Sequence, residues 1–354
     1  MAKILIVRLG ALGDILHALP TVTGIRALLP DATIGWLVEE RWTELLCAAG
    51  TTCDSARVCA ARPVVNQIHS INTRDLRNGF FRPGPLGELR RLIRSIRSLQ
   101  YDLALDLQGA IKSAVLASIT GANSKAGFVN PREPAARFFY SEKFPRIGEH
   151  VIEQNHGLAA QALQKQFGVN DLPLAPPLLP HDPKAEAWAD SEIRKLGIAS
   201  FAIVNPGAGW GAKQWPAERY GQVAQALARH NLKTLVNAAP GEEPLAQAVV
   251  AASNGNAFAI PCTIGELIAI TRRARLFIGG DTGPLHLAAA LQVPVVGLFG
   301  PTDHARTGPF GTKAVALRHA ESKTTFSHHK EPDEGLLKIT VEEVISAARY
   351  VLAS

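Results

Sequence analysis

Short apolar runs and amphipathic stretches alternate along almost the whole chain. Runs at Ile4–Val7, Thr33–Val38 and Leu103–Leu107 have the length and β-branched content of buried strands. Helical spacing follows at Ile15–Leu29, Thr43–Ala49, Leu86–Leu99 and Lys112–Ser118. In the third of these, Leu86, Leu89, Ile93 and Ile96 recur at helical intervals while arginines take the opposite face. A second series predicts strands at Phe201–Val204, Thr234–Asn237, Ala257–Ile260, Leu276–Gly279 and Val295–Phe299. Its helices are expected over Ala217–Arg229, Glu242–Ala252, Ile264–Arg272, Pro284–Leu291 and Val341–Leu352.

Between the two series lies the proline-rich stretch Leu172–Pro180, whose composition favours an extended linker over a core element. Strands alternating with helices imply parallel sheets covered on both faces. The expectation is an α/β protein of two doubly wound, Rossmann-like domains facing a cleft. Residues 1–172 form the first, 173–183 the linker and 184–335 the second. A C-terminal helix over 336–354 is expected to pack back on the N-terminal domain. In such sheets ligands bind beyond the carboxyl ends of the strands, where loops enter helix N-termini.

Composition narrows the picture. The chain has 354 residues, enough for two domains, and its 47% hydrophobic content suffices for two cores. No leader pattern stands before the first strand, and the richest apolar stretch, Leu276–Phe299, is broken by Asp281, His286, Gln292 and Pro294. Four cysteines (Cys47, Cys53, Cys59 and Cys262) form no CxxC pair, which reads as free thiols in a reducing cytoplasm. The net charge of +6 is concentrated: nine arginines lie between Arg57 and Arg97 against Asp75 and Glu88. Guanidinium groups at that density suit phosphates and carboxylates, although a solvated helix face carries the same pattern. Aromatics make up only 6% and no nucleic-acid motif occurs, so a nucleic-acid partner is not expected.

Four glycine-rich or acidic loops at strand-to-helix junctions carry the candidate chemistry. The first is Arg8-Leu9-Gly10-Ala11-Leu12-Gly13-Asp14-Ile15-Leu16-His17, which lacks the third glycine of a dinucleotide fingerprint. Asp14 can cap a helix start or face the ligand as a general base; His17, one turn on, is more often a packing residue. The second is Asn205–Pro216, with three glycines and Lys213 just before a helix, a combination of backbone N–H groups and cation suited to a diphosphate. The third is Gly279-Gly280-Asp281-Thr282-Gly283-Pro284-Leu285-His286. Thr282 and Gly283 there offer N–H groups at a positive helix end, and His286 suits either the core or the ligand. The fourth, Ala238–Glu243, puts Glu242 where it can meet a ribose diol or serve as a first-turn acid. No Asp-x-Asp or histidine cluster with metal-ligand spacing appears, so no metal is expected.

Taken together, Gly13–Pro20, Trp36–Glu40, Asp106–Ser113, Arg132-Glu133-Pro134, Lys213–Pro216, Asp281–His286 and Gly300–Asp303 resemble the ADP-heptose:lipopolysaccharide heptosyltransferases, glycosyltransferase family 9. The likeness is greatest to their type I branch and spans nearly the whole chain. It implies a GT-B fold, with acceptor on the first domain and ADP-heptose on the second. It also implies inverting, metal-free transfer of heptose to the Kdo region of a Kdo-lipid A type acceptor, without a cofactor. Carried over by position, Asp14 matches the catalytic base. Lys213, Glu242, Asp281, Thr282, Gly283 and His286 match the donor site, with Lys213 near the phosphates and Glu242 at the ribose. Gly13, Arg74, Arg77 and Arg132 match the acceptor side. A cytoplasmic monomer in peripheral contact with the inner membrane is the corresponding expectation. Type II heptosyltransferases, other family 9 transferases with a different acceptor, and sugar-nucleotide epimerases of the same architecture are the competing readings.

Overall fold

The central strands form because they are apolar on both faces, which only a sheet covered on each side can accommodate. Ile4, Leu5, Ile6 and Val7 are wholly buried, as are Ile203 and Val204. The computed structural model describes residues 1–51, 57–78, 83–325 and 331–353, leaving aside the side chains of 76–78, 83 and 85. Contacts divide the chain into two units, Met1–His181 and Asp182–Ser354.

The first unit carries β1 (Lys3–Val7), β2 (Thr33–Glu39), β3 (Gln67–Ile71), β4 (Leu103–Asp106), β5 (Ser124–Phe128) and β6 (Glu142–Phe144). The second carries β7 (Phe201–Asn205), β8 (Lys233–Val236), β9 (Ala257–Ala259), β10 (Leu276–Gly280), β11 (Val295–Leu298) and β12 (Ala314–Leu317). The first sheet has the order β3-β2-β1-β4-β5-β6, and every pairing in it is parallel. The second, β12-β11-β10-β7-β8-β9, is also parallel throughout and repeats the first order when read from its other edge. Each sheet is therefore a doubly wound Rossmann-type sheet, and the order reverses between β1 and β4 in one and between β7 and β10 in the other.

Several elements depart from expectation. β3 and β6 lack a continuous apolar run because they lie at sheet edges, where one face can stay polar; β5, one strand in, opens with Ser124 and Lys125, and β12 at an edge of the second sheet is a short apolar run, Ala314–Leu317, that the sequence reading passed over. The helix expected at Thr43–Ala49 is a 3₁₀ turn over Glu40–Leu45. The helix Val151–Phe167, unread in the sequence, packs on Leu12–Leu28. It starts with the His150 Nδ1 accepting from the Ile152 N–H and ends at Gly168 with φ +67°.

The proline-rich stretch is extended, but it is fastened to the first unit. The Leu178 N–H donates to Thr23 Oγ1 at 3.2 Å, the His181 N–H to the Ala60 carbonyl at 2.9 Å, and His156 Nε2 lies 2.8 Å from the Leu172 carbonyl. Gly24 makes this possible, since a Cβ there would stand 2.0 Å from the Pro173 carbonyl oxygen. The final helix, Val341–Leu352, was expected on the N-terminal domain. Its buried face, Val344, Ala347, Ala348 and Val351, instead lies in the core of the second unit. A capping box of Thr340 and Glu343 fixes its start. Cys47 and Cys262 are free thiols, whereas Cys59 is disulfide-bonded, contrary to the reading of four free cysteines; Cys53 lies outside the described residues. Among the described residues no helix is long and apolar enough to cross a membrane.

Candidate functional site

Three of the four loops singled out in the sequence leave strands at the two reversal points, where the loop after β4 joins the one after β1; the fourth, Ala238–Glu243, follows β8. Val7 stands beside Asp106 in the ladder of β1 and β4. Arg8 is buried, and its Nη2 pairs with Asp14 Oδ1 at 2.7 Å, while Nη1 donates to the Leu107 carbonyl. Arg8 Nε is buried without a hydrogen-bond partner. Asp14 Oδ2 accepts the Ala11 N–H at 3.0 Å, so the carboxylate closes the first turn of helix Leu12–Leu28. The helix-capping role and an open face coexist, because the Asp14 side chain keeps 35% of its surface exposed. Gly13, the second residue of this helix, adds no side chain beside that carboxylate.

The loop after β4 is held by Asp106, which is fully buried. It accepts from the Gln108 and Gly109 N–H groups, from Ser113 Oγ at 2.8 Å and from the Tyr140 hydroxyl at 2.7 Å. Burial raises this carboxyl above the usual range, against the pull of those four donors. Gln108 Oε1 in turn accepts the Leu9 N–H at 2.8 Å and ties the two loops together. Arg132 is exposed at the far side of the β4 loop, its backbone nitrogen 3.1 Å from where a Cβ on Gly109 would sit. Beside these loops the first unit contains a cavity of about 1010 Å³ whose walls include Glu39, Arg41, Thr73, Arg74 and Lys112. Lys112 Nζ donates to Thr73 Oγ1 at 2.7 Å and lies 3.4 Å from Glu39 Oε1. The Arg77 side chain lies outside the described residues.

At the second reversal point Gly279 stands beside Asn205. Lys213 Nζ donates to Asp281 Oδ2 at 2.8 Å and to the Asp281 carbonyl at 3.1 Å, and it lies over the Trp210 ring at 4.6 Å. His286 Nε2 is 3.0 Å from the other carboxylate oxygen, Oδ1. Burial works to raise the Asp281 carboxyl. The hydrogen bond and charge of His286, followed by Lys213, outweigh it and hold the group well below the ordinary carboxylate range. An ammonium has three N–H donors, and two of those on Lys213 are committed, which leaves one for a ligand. Helix Gly283–Ala290 begins at the same place with Thr282 as its N-cap. The Thr282 hydroxyl turns back to the Gly280 carbonyl at 3.3 Å, and no side chain caps this helix start. A positive helix end and an ammonium thus both lie next to Asp281.

Glu242 is bonded elsewhere. Its Oε2 accepts the Ala239 N–H at 3.0 Å and lies so close to Gly207 that a Cβ there would meet it at 1.9 Å. The loop carrying Gly207 is secured by Asn205 Nδ2, which donates to the Gly207 carbonyl at 2.8 Å; Asn205 Oδ1 in turn accepts from Asn237 Nδ2 at 2.6 Å. Behind them Cys262 is pushed up to about 12 by burial and by the charge of Glu266. Among the described residues no three His, Cys, Asp or Glu side chains gather as a metal-binding group.

Residues 89–336 match the model of "Glycosyltransferase family 9 (heptosyltransferase)". The chain belongs to glycosyltransferase family 9. It is accordingly a glycosyltransferase. Among curated members, the lipopolysaccharide heptosyltransferase 1 of Pseudomonas aeruginosa is 30% identical over 319 residues, 89% of this chain and 83% of that protein. Two solved family 9 structures share the fold. One is a family 9 glycosyl transferase from Veillonella parvula, with TM-score 0.80 and 21% identity over 99% of this chain and 97% of that one. The other is the E. coli heptosyltransferase WaaC with ADP, with TM-score 0.77 and 23% identity over 99% of each chain. The two-domain, parallel-sheet architecture expected from the alternation of strands and helices is the one family 9 uses.

Arg8, Gln108, Asn205 and Asn237 were not singled out by sequence reasoning. Arg8 carried a signal: it directly follows an apolar strand and precedes the glycine loop, where a buried cation needs an acid partner. Asn205 and Asn237 carried none, since an asparagine at a strand end reads as an ordinary turn residue.

Proposed function

We propose that this family 9 enzyme transfers L-glycero-D-manno-heptose from ADP-heptose to the Kdo region of a lipid A-linked acceptor, as a type I heptosyltransferase. The observation that carries the donor assignment is the Lys213–Asp281–His286 cluster at the start of helix Gly283–Ala290. A bare carboxylate would repel a diphosphate. Both Asp281 oxygens are spent on Lys213 and His286, so Asp281 serves to aim the ammonium. Lys213 and the N–H groups of Thr282 and Gly283 then meet the charge that builds on the departing ADP, without a metal ion. Glu242 accepts from the ribose hydroxyls beside Gly207. The resemblance to type I enzymes, including the 30% identity with the P. aeruginosa protein, supports the choice of acceptor.

On the first unit, Asp14 accepts the proton of the attacking acceptor hydroxyl as the new C–O bond forms. The hydroxyl adds to the anomeric carbon on the face opposite ADP, inverting the configuration. General-base assistance of this kind contributes about 10²–10⁴ in rate. Arg74, Arg77 and Arg132 grip acceptor carboxylates and phosphates in paired N–H contacts, for which guanidinium geometry is suited. The enzyme works as a monomer on the cytoplasmic side of the membrane that holds its acceptor.

The test is product formation from ADP-heptose with Kdo-lipid A beside an already heptosylated core, in EDTA. Transfer to the first acceptor alone is expected. Transfer only to the second would point to a type II enzyme, and donor turnover without any acceptor to an epimerase.

A further inference from the structure

We propose that the 3₁₀ turn Pro134–Phe139, with the start of helix Ile111–Ile119, forms a surface that docks on an anionic lipid bilayer. The proposal rests on the reading of the acceptor as lipid-anchored. Phe138 is 75% exposed, Ile111 42% and Phe139 36%. The turn has three residues per repeat, and its inner position is taken by Ala136, fully buried in a small cluster with Ala114 and Tyr140. The two positions that follow it therefore turn outward, and Arg137 and Phe138 occupy them. A phenyl ring so placed contributes nothing to the core, and with the adjacent Phe139 it presents apolar area to water.

The charges around it select the cover. The Arg137 guanidinium lies over the Phe138 ring, 5.1 Å from its centre, and Arg132, assigned above to the lipid-linked acceptor, is exposed at the other end of the turn. Glu133 between them is engaged by the Ile111 N–H, which donates to its Oε2 at 2.8 Å. An apolar tip flanked by guanidiniums fits the boundary between lipid phosphates and acyl chains, with the ring inserted and the cations left at phosphate level. The turn is already fixed, since the Glu133 N–H donates to the Gly109 carbonyl at 2.9 Å. Insertion therefore costs little ordering entropy. The same bond makes the surface continuous with the β4 loop on the acceptor side, where an enzyme drawing its acceptor from a membrane has to meet that membrane.

The experiment is co-sedimentation of the full chain with vesicles free of acceptor, either 7:3 phosphatidylethanolamine:phosphatidylglycerol or phosphatidylcholine alone. Wild type, Phe138→Ser and Arg137→Gln are compared, together with their transfer rates on a delipidated acceptor. Wild type is expected to partition onto the anionic vesicles, less so at high salt. Phe138→Ser should weaken that partition roughly tenfold, and Arg137→Gln by a smaller factor. Both should transfer to the soluble acceptor at wild-type rates. Absence of binding by wild type, or equal binding by Phe138→Ser, would overturn the proposal. So would a change of oligomeric state in Phe138→Ser with vesicle binding intact, which would make the surface a contact between copies. Binding is read without substrates, so its failure leaves the transfer reaction standing, and a transfer failure with normal binding strikes only the reaction.

Discussion

Replacing Lys213 with methionine separates what that residue does for the fold from what it does for the ligand. Methionine preserves most of the volume and the contact with Trp210 but removes the ammonium that faces Asp281 Oδ2 at 2.8 Å. Losing one partner of a buried ion pair typically costs about 3–5 kcal/mol, because the remaining charge is stranded. Here His286 stays at 3.0 Å on the other oxygen, which favours the lower end, about 3 kcal/mol. For a unit of this length that corresponds to a fall of about 6–12 °C in the melting of the second unit. The pH dependence carries the sign. Asp281 is held below its unfolded value, so its contribution is present above an ordinary carboxylate value of about 4 and is lost as the pH falls through the folded value. The gap between wild type and variant should therefore be full at pH 7 and shrink below about pH 4. ADP stabilises whatever folded state binds it, and its protection of wild type should largely vanish in the variant. Calorimetric melts at pH 7 and pH 3.5, with and without ADP, read all of this. An unchanged melt at pH 7 would show that the ion pair does not hold the site together.

Gly207→Ala is expected to move Glu242 aside, because the new methyl would meet the mobile end of that side chain at 1.9 Å. Its melting temperature should stay near wild type, while ADP affinity by calorimetry falls roughly tenfold for the loss of a charged hydrogen bond. Arg8→Met leaves Asp14 without its cation and the Leu107 carbonyl without its side-chain donor; a loss of about 2–4 kcal/mol in urea unfolding is expected. Arg8→Lys restores the charge but not the fork, and its stability in urea should fall between those of Arg8→Met and wild type.

The fold was legible where burial is double-sided. Strands such as Ile4–Val7 and Leu276–Gly279 had to be apolar on both faces, and alternation with amphipathic helices then dictated parallel sheets. The edge strand Glu142–Phe144 was not legible, because a half-exposed pairing is held by backbone hydrogen bonds that any side chain permits; Ala314–Leu317 is apolar throughout, but a run of four residues does not by itself tell strand from helix. The destination of the last helix was missed for a related reason: an amphipathic pattern says that a face is buried but not against what. At the candidate site the loops were legible from glycines and charges at strand ends. The partners were not. That Asp281 is answered by Lys213, 68 residues away, and Asp14 by Arg8 follows from which strands neighbour each other. Glycines signalled close approach without saying by what, and only the folded chain puts Glu242 against Gly207 and the Pro173 carbonyl against Gly24.

The central claim is that Asp14 removes the acceptor proton while the second unit holds the donor. The most direct measurement is the turnover of Asp14→Asn at saturating donor and acceptor, alongside its calorimetric affinity for ADP. Asparagine preserves the shape and can still accept the Ala11 N–H. The account predicts a fall in turnover of about 10²–10⁴ with ADP affinity unchanged. Turnover within a few-fold of wild type would contradict it.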